Sequence, residues 1–248
     1  MIPTLAQNII ALASSGMGAL LAVAVGVSHR QLCALISFAA GTLFATTFFH
    51  IIPEAFTSLP FSAILLALAS GYLLFYLVSR FLFHICPACA ASHFDEQVVS
   101  AFKNVALLLV IALGIHCIMD GVAIALGKEL AERADRSIFL TITFHKFPEG
   151  LALCALLRRA GVAKTSSVLI TLAIEALTLI GWLVGLALLS GFEINGWFYL
   201  TLVHIGGGFI YLALHAVLNE SKEHSPSYIV FFFATGIAAI ALFNLLPA

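Results

Sequence analysis

The chain has 248 residues, 62% of them hydrophobic and only 9% charged, and a mean hydropathy of +1.12, whereas soluble domains carry roughly 25% charge. A formal net charge of -1 and a pI near 6.7 provide no basic stripe to neutralise phosphates, which excludes nucleic acid as a partner. The composition is that of an integral membrane protein whose surrounding partner is the lipid bilayer.

The N-terminal Met1-Ile2-Pro3-Thr4-Leu5-Ala6-Gln7-Asn8 lacks the positive region of a secretory signal, so the first apolar segment is expected to stay as a span. A hydrocarbon core about 30 Å thick needs about 20 residues of apolar helix. Eight segments qualify, roughly 5–27, 32–55, 60–83, 99–127, 136–158, 165–190, 196–219 and 227–247. They lack the alternation of barrel strands, so the expected fold is an all-α helical bundle forming one transmembrane domain. The five cysteines lie largely in or beside apolar runs and do not make a disulfide framework.

Lysines and arginines in the connections give the orientation. With the N-terminus outside, Arg30, Arg80, Lys103, Arg158, Arg159, Lys164 and Lys222 fall inside, and Lys128, Arg133 and Arg136 fall outside. Seven against three predicts both termini outside a cytoplasmic (inner) membrane.

In the first and third segments, Ser14-Ser15-Gly16-Met17-Gly18-Ala19 and Ser70-Gly71 read as close-packing surfaces, as do Gly181 and Gly185 in the sixth. The second segment ends in Phe49-His50-Ile51-Ile52-Pro53-Glu54, which Phe144-His145-Lys146-Phe147-Pro148-Glu149 echoes. Each proline removes an amide donor and is expected to break the helix locally. His50 and Glu54 are candidates for ion entry, or an ordinary polar helix end. Residues 84–98 form a polar loop on the expected inner side; its His84, Cys86, Cys89 and His93 have spacings able to hold zinc, and equally suit a loop with incidental thiols.

The fourth and fifth segments carry the chemistry. His116 and Asp120 are four residues apart, as are His145 and Glu149, so each pair lies a turn apart on one helix face. Lys146 and, in the sixth segment, Glu175 add two more ionisable groups at depth. A lone carboxylate at the bilayer centre costs about 2.5–3.5 kcal/mol on insertion scales. One lysine cannot offset three, whereas a divalent cation pairs with all of them. In the seventh segment His215 and Glu220 are candidates for an exit site, or for simple helix-end solvation.

Four stretches together resemble the ZIP (Zrt/Irt-like protein) family of divalent metal-ion transporters, in its bacterial type. They are His-x-x-x-Asp-Gly at 116–121, His-x-x-Pro-Glu-Gly at 145–150, Phe-His-Ile-Ile-Pro-Glu-Ala at 49–55 and Tyr-Leu-Ala-Leu-His at 211–215. The resemblance implies a 3+2+3 arrangement, in which spans 1–3 and 6–8 form an inverted pseudo-repeat around spans 4 and 5. It implies metal ligands at His116, His145, Glu149 and Glu175 with Asp120 close by, an entrance at His50 and Glu54, and an exit at His215. The chain departs from the pattern at Cys117 and Lys146, positions that help to build a second metal site in two-metal members. A Lys146 ammonium would stand in for the second ion, and a Cys117 thiolate would add a soft ligand.

The resulting expectation is a transporter, not an enzyme, that imports a divalent metal into the cytoplasm by alternating access. Zinc is favoured, and cadmium, iron and manganese suit the same ligands. A second copy of the chain is a candidate partner. Two other classes remain: an intramembrane zinc-dependent hydrolase, which lacks a His-Glu-x-x-His motif here, and a bis-histidine haem carrier, which would not need these carboxylates.

Overall fold

The computed structural model describes residues 3–25, 28–80, 102–159, 161–191 and 196–245. They form helices throughout, and no strand occurs among them. In order these are α1 (Thr4–Ala24), α2 (His29–Thr46), a π-helical turn (Thr47–Ile51), α3 (Ile52–Ala55), α4 (Phe61–Val78), α5 (Phe102–Gly127), α6 (Glu132–Arg159), α7 (Lys164–Glu175), α8 (Leu177–Gly191), α9 (Gly196–Glu223) and α10 (Pro226–Leu245). Because α2 runs through the π turn into α3, and α7 meets α8 at Ala176, eight rods result, one for each apolar segment. Six of them are long and apolar enough to cross a membrane on length and composition alone, which makes this a multi-pass membrane protein. The other two, α5 and α6, hold the polar centre.

Local sequence explains the interruptions. Ser28 caps α2 in a reciprocal capping box with Gln31. Pro53 has no amide to donate and crowds the carbonyl four residues back; the chain answers with the π turn that carries His50. Pro148 differs from expectation, for α6 passes through it without a break. The break in the second half falls instead after Glu175, where the Ala176 amide bonds back to Leu172 and the Leu179 amide reaches only to Ala176.

Eight glycines hold the rods together in four reciprocal clasps. Gly18 of α1 lies on the Phe147 carbonyl of α6, and Gly150 of α6 lies on the Ser15 carbonyl of α1. The same exchange joins Gly121 of α5 to Thr178 and Gly181 of α8 to Ile118. It joins Gly41 of α2 to Phe233 and Gly236 of α10 to Phe38, and also Gly71 of α4 to His204 and Gly207 of α9 to Leu68. At all eight positions a Cβ would overlap the facing carbonyl oxygen, so only glycine permits the backbones to approach this closely. In lipid, where apolar burial drives little association, this contact and its weak Cα–H···O bonds do much of the joining.

Polar contacts fix the axial register. Ser14 Oγ donates to the Thr143 carbonyl (2.8 Å), and Gln7 Nε2 donates to Asp135 (3.2 Å), holding α1 alongside α6. Thr46 and Thr141 join α2 to α6 through their hydroxyls. One end of the bundle gathers Arg30, stacked 4.7 Å from the Tyr228 ring centre, with Lys222 near the end of α9. The other gathers Lys128, paired with Asp135 at 3.0 Å, and Arg136, paired with Glu132 at 3.6 Å.

The clasps predict a contrast within one helix. Gly18→Ala should destabilise the protein by about 1–3 kcal/mol through overpacking. Gly16→Ala, two residues away, would meet only the flexible tip of Leu172 at 3.3 Å and should be nearly neutral. Thermal unfolding of both variants in detergent measures the difference.

Candidate metal centre

The motif glycines place the motif carboxylates. Gly121 and Gly150 follow Asp120 and Glu149 directly, so each clasp sets the depth and rotation of the carboxylate before it. Asp120 and Glu175 have no exposed surface, and His116, Cys117, His145 and Lys146 are all buried. Glu149 retains 11% side-chain exposure.

The side chains form two adjoining groups that share Glu149. The first comprises His116, Asp120, His145 and Glu149, whose ligand atoms lie within 4.8 Å of one another. His116 Nε2 is 3.5 Å from Asp120 Oδ2 and 3.8 Å from Glu149 Oε1. His145 does not pair with Glu149 on its own helix. Its Nε2 lies 3.2 Å from Asp120 Oδ2, because its Nδ1 donates to the Thr141 carbonyl one turn back at 2.8 Å and so fixes the ring. That second bond leaves Nε2 as the nitrogen available to a metal, the usual arrangement of a metal-ligating histidine.

The second group is Cys117, Glu149 and Glu175, and the Lys146 ammonium touches every member of it. Nζ is 3.1 Å from Cys117 Sγ, 3.0 Å from Glu149 Oε2 and 2.9 Å from Glu175 Oε2, with Asp120 Oδ2 also at 3.0 Å. Glu175 therefore enters the centre through Lys146 and Cys117, the latter at 3.7 Å, and is not part of the two-histidine group. With neutral imidazoles, the three carboxylates and one ammonium sum to a formal charge of -2, the complement of one divalent cation. Asp120 Oδ1, Glu175 Oε1 and His116 Nδ1 are buried without a hydrogen-bond partner, a costly arrangement for a site with no further occupant.

The family profile described as ZIP zinc transporter matches residues 88–244 of the 248. The chain belongs to the ZIP zinc transporter family. Zinc transporter 3 of Arabidopsis thaliana is 28% identical over 183 residues, covering 63% of this chain and 53% of the relative; the chain spans about half the length of that curated relative. The family and the relative are both described as zinc transporters, which supports a transporter over the hydrolase reading.

The remaining sequence candidates lie elsewhere in the ZIP chain. His50 sits on the π turn and Glu54 on α3, both partly exposed. His215 bonds the Tyr211 carbonyl at 3.2 Å and stacks on the Tyr211 ring at 3.9 Å. Glu220 instead joins Cys33 of α2 and His224. Sequence reasoning missed these two partners, since the pairing of α2 with the far end of α9 leaves no local trace. His84, Cys86, Cys89 and His93 lie outside the described residues.

A charge-balance prediction follows for this centre. Lys146→Met in the presence of chelator should cost about 3–5 kcal/mol of stability, as when one partner of a buried ion pair is removed. Lys146→Met with Glu175→Gln restores the charge of -2 and should recover most of the loss in a detergent melting series.

Proposed function

We propose that the protein carries a divalent metal ion, zinc in the first instance, across a cytoplasmic membrane and into the cell by alternating access. The ion is held by His116, His145, Asp120 and Glu149. Cys117 and Glu175 are engaged by Lys146. One observation carries this reading: Lys146 Nζ lies within 3.1 Å of every member of the second ligand group, Cys117, Glu149 and Glu175. It also reaches Asp120 at 3.0 Å, but neither histidine pairs with it, and the two-histidine group is the one left to an ion. Charge supports the division. Two carboxylates balance a divalent ion in the first group, and Lys146 balances Glu175 in the second.

Mixed imidazole and carboxylate ligation suits zinc at Zn–N and Zn–O distances of about 2.0–2.2 Å. It also admits cadmium, iron and manganese, with geometry setting the order. The family and the relative's name, a zinc transporter, favour zinc. Outside termini rest on the lysine and arginine bias, and Arg30 and Lys222 gather at the end opposite Lys128 and Arg136; the inward direction rests on the resemblance to the ZIP family.

The clasps support the 3+2+3 inverted repeat. Exchanging rod 1 with 6, 2 with 7, 3 with 8 and 4 with 5 maps the α1–α6 clasp onto the α5–α8 clasp, and the α2–α10 clasp onto the α4–α9 clasp. Each pair keeps the same spacing of three residues from carbonyl to glycine. They also indicate what moves together. A clasp cannot slide without lifting one backbone off the other, so access alternates by displacement of clasped pairs. All the ion's ligands lie on one set of these, α5 and α6 with their partners α1 and α7–α8. Broken or bulged helices are common near ion paths in transporters. Here they are the π turn at His50 and the junction after Glu175.

Zinc or cadmium uptake into proteoliposomes tests the reading. The native protein should accumulate metal, and His145→Ala with Glu149→Ala should abolish uptake while the variant elutes and melts as a folded protein. Uptake that is absent from the native protein, or indifferent to the double change, would contradict transport through this centre.

A further inference from the structure

We propose that Cys33, Glu220 and His224 form a second cation site, for a thiophilic divalent ion such as zinc or cadmium, at the end of the bundle that carries Arg30 and Lys222. The three offer a thiol, a carboxylate oxygen and an imidazole nitrogen, all within 4.8 Å of one another. Cys33 and Glu220 have no exposed surface, and His224 is partly exposed. Zinc takes thiolate, imidazole and carboxylate ligands, with Zn–S near 2.3 Å and Zn–N near 2.0–2.1 Å, and sites with three protein ligands leave a fourth position open. Those bond lengths put neighbouring ligand atoms about 3.5 Å apart, so closure around an ion needs side-chain shifts on the order of 1 Å.

The fold holds the three in place from three directions. The His224 amide bonds the Glu220 carbonyl at 2.9 Å, setting imidazole and carboxylate one turn apart on the same face as α9 ends. Cys33 comes from the second turn of α2, and its thiol hydrogen-bonds Glu220. The start of α10 closes the corner: the Tyr228 hydroxyl donates to the Arg30 carbonyl at 3.1 Å, the Arg30 guanidinium lies over the Tyr228 ring, and that ring sits 6.4 Å from the His224 imidazole. Each of the three helices α2, α9 and α10 contributes to this corner. His224 provides the solvent-side opening, while Cys33 and Glu220 are fully buried.

The position relates this site to the central one. Cys33 is five residues before Phe38, about 7.5 Å along the helix axis, and the Phe38 ring packs edge-on against Phe144, next to His145. Cys33 thus lies about one and a half turns along α2 from the phenylalanine that packs beside α6, toward the bundle end. A thiolate ligand there would favour zinc and cadmium over manganese, a soft-ligand preference the two-histidine centre does not supply. The inference stands on this geometry alone and does not require that the central site transports.

The test uses purified full chain in detergent, with Cys86→Ser and Cys89→Ser removing the loop thiols, and Cd2+ as the probe. Bound metal is counted by equilibrium dialysis with elemental analysis, and cadmium–thiolate bonding is read from its ultraviolet charge-transfer band. Cys33→Ala should lose that band and one bound ion per chain. His224→Ala should weaken the same ion, and Cys33→Ala is checked for folding by its elution profile and melting. In a His145→Ala, Glu149→Ala background the band and its ion should persist, which separates failure at this end from failure at the centre. A band and ion count unchanged by both Cys33→Ala and His224→Ala would overturn the proposal.

Discussion

The Lys146 ammonium is the contact on which the centre depends. It bridges Asp120, Glu149 and Glu175 at 2.9–3.0 Å in surroundings from which water is largely excluded. Three carboxylates gathered without it would repel one another at a depth where each is expensive. With it, the cluster holds together and keeps a net demand for two positive charges. The lysine is also a cation fixed to the chain, so on the proposed reading only the two-histidine group exchanges an ion.

Position at that depth comes from backbone contact. Gly121 and Gly150 close on the carbonyls of Thr178 and Ser15, and the carboxylates immediately before them inherit the register. The motifs thus couple ligand and packing in adjacent residues, and a side chain at either glycine would push the whole helix outward. The same clasp recurs between α2 and α10 and between α4 and α9, where no ligand is involved, so the joint is a general device of the bundle that the centre makes use of.

Much of this was legible in the sequence. Apolar run length gave the eight rods, and the four-residue spacing put His116 and Asp120 within 3.5 Å. Pro53 announced the irregular turn at His50. Other features depended on contacts between helices, which spacing does not encode. His145 shares the ligand group with Glu149, as its spacing implies, but its nearest carboxylate is Asp120 of the neighbouring helix, while the Thr141 carbonyl holds its other nitrogen. Glu175 joined the list of ligands from the sequence, but meets Lys146 in the fold. Pro148 was expected to interrupt α6 and does not; the interruption falls after Glu175, where the sequence carries neither proline nor glycine. The glycines of both motifs had no role assigned from the sequence, and the facing carbonyls show why they are glycine.

The central claim is that one ion binds between two histidines and two carboxylates while Lys146 occupies the neighbouring group. Anomalous diffraction from crystals of the native protein loaded with zinc or cadmium tests it most directly. The account predicts one midplane peak, within bonding distance of His116 Nε2 and His145 Nε2, with Lys146 Nζ still at Glu175. Two midplane peaks, or one lying between Cys117 and Glu175 with Lys146 displaced, would contradict it.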